Sequence, residues 1–179
     1  MKKRLILALV ALMLAPCVAG AVGVGVGVFG GVGVPILQDD NGQGSVFGLR
    51  VPVALIPLVT VEPYFSKASG GDKDQDVGGV TYTRSGIDAT SFGANVMLKF
   101  GTGFQFYPYV GIGSTKLDRD PLDATSTSYN FGLGLGISPM PKLSVHVRGE
   151  LQAVLDENES DISRKWANVT LGVHYNVFP

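Results

Sequence analysis

The sequence predicts an all-β fold, an eight-stranded antiparallel transmembrane β-barrel with short periplasmic turns and longer extracellular loops. Three observations carry this. Apolar residues alternate with small or polar ones along most of the chain, and the acidic residues other than Glu62 and Glu150 collect in four stretches between those segments. Short connections also alternate with long ones.

The N-terminus comes first because it sets the compartment. Lys2, Lys3 and Arg4 precede an apolar run over 5–15, and the small residues Val18, Ala19, Gly20 and Ala21 follow. This is the order of a secretory signal peptide, with cleavage after Gly20 or Ala21. The run is about half the ~20 residues that a membrane-crossing helix needs. Residues 1–21 therefore read as a cleaved signal peptide, and 22–179 as one outer-membrane β-barrel domain. Leu14, Ala15, Pro16 and Cys17 resemble a lipobox, but Pro16 stands where such boxes carry a small residue. Cys17 is the one cysteine of the chain and leaves with the signal, so disulfide and thiol chemistry are excluded from the mature protein.

Eight segments follow with a period of two: 22–34, 46–56, 58–67, 89–100, 104–116, 127–138, 142–155 and 164–178. In the first, Val22, Val24, Val26 and Val28 interleave with Gly23, Gly25 and Gly27. In the sixth, Tyr129, Phe131, Leu133, Leu135 and Ile137 alternate with Asn130, Gly132, Gly134 and Gly136. The seventh sets Leu143, Val145, Val147, Leu151 and Leu155 against Ser144, His146, Arg148, Glu150 and Gln152. The eighth sets Ala167, Val169, Leu171, Val173, Tyr175 and Val177 against Asn168, Thr170, Gly172, His174 and Asn176.

Charge decides between a soluble sandwich and a membrane barrel. The polar face of a soluble sheet meets water and should be rich in Lys and Glu. Here it carries mainly Gly, Asn, Ser and Thr. That composition suits a narrow polar lumen inside an apolar, lipid-facing wall. Eight strands enclose an interior that side chains can fill, and closure removes the unpaired edges that lipid does not tolerate.

The connections agree. Short turns are expected near Ile56 and Pro57, over 101–103 and over 138–141. The four acidic stretches form the longer loops: Asp39 and Asp40; Asp72, Asp74, Asp76 and Asp88; Asp118, Asp120 and Asp123; Asp156, Glu157, Glu159 and Asp161. Phe47, Phe65, Phe92, Tyr129 and Phe131 then gather near one rim, and Phe100, Phe104, Phe106, Tyr175 and Phe178 near the other. These are the aromatic belts of a membrane protein.

The pattern over the whole mature chain resembles the outer membrane protein A-like family of small eight-stranded barrels. Val169, Leu171, Val173, Tyr175 and Val177 resemble the alternating C-terminal signal read by the barrel assembly machinery, although Phe178 falls out of phase and Pro179 follows it. The resemblance implies a lumen core of paired acids and bases. A three-residue turn centred on Ile56 sets Arg50 opposite Glu62. An equivalent turn centred on Met140 sets Gly132 opposite Arg148, Gly134 opposite His146 and Asn130 opposite Glu150. Arg50, Glu62, Arg148 and Glu150 are then expected in one layer near mid-barrel, with His146 beside it and Lys99, opposite Gln105, nearer the short-turn end. Met97, Tyr107 and Tyr109 are expected to fill the lumen.

Other chemistry is weak. Ser144 and His146 share a face with Glu150, but the His-before-Ser order of lipid A deacylases is reversed, and the barrel is expected not to be an enzyme. Asp72, Lys73, Asp74, Gln75 and Asp76 open like a calcium loop, yet Val77 replaces the required glycine and Thr83 the bidentate glutamate. No cofactor and no nucleic-acid partner is expected. Expected partners are outer-membrane lipid, lipopolysaccharide through divalent cations at the acidic loops, and the assembly machinery, with the barrel a monomer. Two functions remain: a structural or surface-interaction role, or a small or intermittently open pore. A large porin takes about twice as many strands.

Overall fold

The structure, a computed structural model, describes residues 23–36, 42–84, 86–119, 122–155 and 164–178. Eleven strands form: β1 (Gly23–Ile36), β2 (Gly42–Arg50), β3 (Val53–Ile56), β4 (Val59–Gly71), β5 (Lys73–Val77), β6 (Val80–Arg84), β7 (Asp88–Leu98), β8 (Phe104–Arg119), β9 (Leu122–Met140), β10 (Leu143–Leu155) and β11 (Arg164–Phe178). Sequential antiparallel pairing runs around the wall, and β11 closes on β1. Together β2 and β3 make the second wall strand, because both pair with β1 on one side and β4 on the other. Pro52 has no N–H to give the ladder and sits at the break between them. Its carbonyl still accepts Gly25 N–H at 2.9 Å, and Val51 N–H reaches Pro63 O at 2.9 Å. The wall is thus an eight-stranded antiparallel barrel, with β5 and β6 as a separate hairpin above it.

Alternation sorts the side chains. Val26, Val28, Leu133, Leu135, Val147, Leu151, Val169 and Leu171 are exposed on the outside, while Asn95, Asn130, His146, Arg148, Asn168 and Thr170 are buried inside. This is inside out relative to a water-soluble fold, and it puts the molecule's apolar surface where lipid supplies the contacts. Phe47, Phe65, Phe92, Tyr129 and Phe131 are outward and exposed towards one end, and Phe100, Phe104, Phe106 and Tyr175 towards the other.

Two turns are tighter than the sequence suggested, and the register moves with them. Ile56 pairs with Val59 across Pro57 and Leu58, and Met140 pairs with Leu143 across Pro141 and Lys142. Proline's fixed φ suits the first central position of a turn, so each proline leads a two-residue connection instead of ending a three-residue one. With a register shift between Ala54 and Ile56, Arg50 stands opposite Tyr64 and not Glu62. With another between Leu143 and Val145, Arg148 faces Gly134, His146 faces Gly136, and Glu150 faces Gly132. Lys99 falls between the Met97–Tyr109 and Phe100–Phe106 pairs, across from Tyr107 and not Gln105. At that turn Gly101 has φ of 93°, a conformation that side-chain-bearing residues rarely take.

The long connections also differ. The second becomes the β5–β6 hairpin, turned by Gly78 and Gly79 at φ 64° and 82°. Around the third, β8 and β9 run on for 16 and 19 residues, so Asp118 and Asp123 pair within strands, while Asp120 lies outside the described residues. Thr125, Ser126, Thr127 and Ser128 continue the period of two, and charge beyond the membrane does not interrupt a ladder that water solvates. The first and fourth acidic stretches lie outside the described residues, apart from the strands that flank them.

Candidate functional site: the filled lumen

The lumen is built by large residues lying over small ones on neighbouring strands. A side chain at Gly132 would collide with the Tyr109 ring, one at Gly134 with the Tyr107 ring, one at Gly136 with His146 and one at Gly27 with His174. Glycine at these positions leaves room for four rings inside an eight-stranded interior. Met97, Tyr107 and Tyr109 pack together with at most 3% exposure.

At mid-depth Arg148 grips Glu62 with two parallel hydrogen bonds, Nη1 to Oε1 at 2.5 Å and Nη2 to Oε2 at 2.7 Å. Such charge-assisted forks are the strong kind. Neither residue exceeds 1% exposure. Arg50 Nε stands 3.7 Å from Glu62 Oε1, its Nη2 donates to Thr170 Oγ1 at 3.4 Å, and its guanidinium lies 3.6 Å above the Phe29 ring centre. Glu150 is held by neutral donors, Tyr109 O–H at 3.0 Å and Asn168 Nδ2 at 3.3 Å. The six residues singled out from sequence therefore divide. Arg50, Glu62 and Arg148 meet; Glu150 sits beside them with its own partners; His146 joins through Tyr107; and Lys99, half-buried, has no ion pair among the described residues.

Tyr107 makes that connection. Arg148 Nε donates to its oxygen at 2.9 Å, and the same oxygen lies 2.9 Å from His146 Nδ1. With an acceptor lone pair taken by arginine, we assign the phenol as donor to Nδ1, which gives its hydrogen an acceptor and puts the proton of neutral His146 on Nε2. The His146 and His174 rings stack at 4.3 Å, and neither Nε2 has a hydrogen-bond partner among the described residues.

On the long-loop side of this layer the lumen is a polar mesh. Asn130 bonds Tyr64 and Asn95, Ser91 bonds Thr115, and Gln152 bonds Ser91. Farther out, Ile87, Ala89, Leu117 and Val154 form a buried apolar cluster with Ala68 and Trp166 against it. Among the described residues, cavities of about 10 and 20 Å3 lie in this half, each with room for a single water. The apolar cluster, Phe29 and the bridging role of Tyr107 escaped the sequence reading. The signal for Tyr107 was its inward phase opposite the glycines of β9.

Ser144 and His146 both point inward, but Ser144 pairs in register with His174 while His146 is occupied by Tyr107. In the hairpin, Asp76 and Asp74 accept hydrogen bonds from Thr81 and Thr83 at 2.9 and 2.7 Å, and Asp72 accepts Gly86 N–H at 3.0 Å.

With this geometry established, comparison with known proteins is informative. The family model described as outer membrane protein beta-barrel domain matches residues 5–176. Neisserial surface protein A superposes with a TM-score of 0.68 at 13% identity, covering 87% of this chain and 98% of that one. The N-terminal barrel domain of OprF from Pseudomonas aeruginosa gives 0.58 at 17%, covering 88% and 98%. Ail, the attachment invasion locus protein of Yersinia pestis, gives 0.52 at 16%, covering 86% and 98%. Comparison with curated protein sequences gives no match.

Proposed function

The chain belongs to the outer membrane protein beta-barrel domain family, and from that premise we propose a closed barrel with a structural or surface-interaction role in a Gram-negative-type outer membrane. The observation that carries this is the filled lumen. The Glu62–Arg148 fork, the tyrosines and the outer apolar cluster occupy successive depths. Residues 1–21 act as an export signal, the assembly machinery inserts the barrel, and the short turns and both chain ends face the periplasm. The part that meets the surroundings is then the β5–β6 hairpin, which exposes Asp72, Asp74, Asp76 and Tyr82. Its acids suit lipopolysaccharide phosphates bridged by divalent cations. No catalytic role is assigned, because His146 is committed to Tyr107 and Glu150 to Tyr109 and Asn168.

Planar bilayers containing the refolded mature chain test the reading. The expected record is silent. Frequent, reproducible unitary currents would replace it with the pore reading.

A further inference from the structure

Sorting the charges by depth leads to a separate inference. The half of the wall nearer the short turns is made from residues 23–29, 52–60, 97–107, 134–147 and 172–177. It contains Lys99, Lys142, His146 and His174, and no aspartate or glutamate. Glu62 and Arg148 form its boundary and neutralise each other there, with Arg50 close by. Glu150, deeper still, is bonded to neutral donors. On the short-turn side the unmatched buried side-chain atoms are the Nε2 atoms of the two histidines, whereas farther along the lumen Arg50 Nη1 is unmatched together with Ser128 Oγ and Asn130 Oδ1.

For His146 that atom carries the proton in the tautomer assigned above, with Tyr107 donating to Nδ1. Lys99 stands across from Tyr107 and within electrostatic reach of His146. An ammonium and an imidazole N–H thus share one end of a lumen that holds positive charge in excess and has no carboxylate of its own to answer them. A metal cation there would add to that excess. An anion would relieve it and give the orphaned N–H an acceptor. Met97 and Tyr107, both fully buried, are its neighbours on the inward side.

We propose that the short-turn end of the lumen is a binding site for a small inorganic anion of chloride size. Lys99 and His146 Nε2–H hold it, and the stacked His174 forms a wall. The site does not depend on whether the barrel conducts.

The chain has two histidines, so their ring signals are a direct probe. The refolded barrel in detergent is titrated with sodium chloride against sodium gluconate at constant ionic strength, following the ring 15N and 1H shifts of His146 and His174. Chloride is expected to give a saturable shift that gluconate does not reproduce. Lys99→Met should weaken the chloride response at least tenfold, and Lys142→Met, at the exposed turn, should leave it unchanged. A linear response without saturation, or saturation in Lys99→Met equal to that of the parent, overturns the site. The chloride and gluconate comparison on the parent protein decides the question alone if Lys99→Met does not refold.

Discussion

Arg148 on β10 reaches across the lumen to hold both carboxylate oxygens of Glu62 on β4, at 2.5 and 2.7 Å, while Arg50 stands 3.7 Å from one of them. The two arginines therefore contribute unequally. Removing Glu62 strands Arg148 first, and breaking one side of a buried pair costs roughly 3 to 5 kcal/mol where water does not compensate. Replacing both partners leaves no stranded charge. In urea unfolding from lipid vesicles, the Glu62→Met and Arg148→Met cycle is expected to show a coupling of about 1 to 3 kcal/mol. The Glu62→Met and Arg50→Met cycle should show distinctly less. Additivity in the first cycle would mean that the fork does not form.

The glycines opposite the lumen rings give a second test, because two glycines of the same wall face opposite ways. A side chain at Gly134 meets the Tyr107 ring, whereas one at Gly149, on the outer face, meets nothing within 4 Å. Gly134→Val should destabilise by about 1 to 3 kcal/mol, as overpacking does. It should also loosen the Tyr107 bonds to Arg148 and His146. Gly149→Val should stay within about 0.5 kcal/mol of the parent. Equal effects at both positions would show that the ring does not lie on Gly134.

How much was legible follows from what sets each feature. The period of two fixes which residues face lipid, so the pattern alone places Leu133, Leu135, Val169 and Leu171 outside and Arg148 and Asn130 inside. Register is different. It depends on whether Pro57 and Pro141 end or lead their turns, and a shift of two residues keeps every side chain on its own face. Hydrophobic patterning is blind to that shift. The lumen charges could thus be named, but the principal partner of Glu62 could not. Long side chains then bring Arg50 near Glu62 despite the changed register. The apolar cluster of Ile87, Leu117 and Val154 was hidden because its residues flank acidic stretches that read as loops.

Membrane orientation gives the third prediction. The β5–β6 hairpin and the turn over 101–103 lie at opposite ends of the wall. In a background in which Cys17 is replaced by serine, Asp74→Cys and Glu157→Cys should react with an impermeant maleimide on intact cells. Thr102→Cys should react after the outer membrane is opened. Labelling of Thr102→Cys alone on intact cells would invert the topology and exchange the two lumen mouths.

The last prediction separates a plug from a gate. Two arginines at one carboxylate invite the idea that Glu62 exchanges partners to open a path, and in that case Glu62→Ala should conduct. The depth order of the lumen argues otherwise. Inward from the short turns, the Tyr107 and Tyr109 rings lie across Gly134 and Gly132, and Tyr109 also holds Glu150. Beyond the polar mesh, Ile87, Ala89, Leu117 and Val154 close the other end without using any charge. A freed Arg148 also keeps Tyr107 Oη as an acceptor and the faces of both tyrosine rings as neighbours. It is therefore held in place. Glu62→Ala should lose stability and remain silent in planar bilayers, whereas Glu62→Ala combined with Tyr107→Ala and Leu117→Ser, if it refolds, should give small currents, because closure then fails at all three depths. Steady currents from Glu62→Ala alone, in a barrel that still shows the heat-modifiable gel shift of a folded species, would make the ion pair the gate.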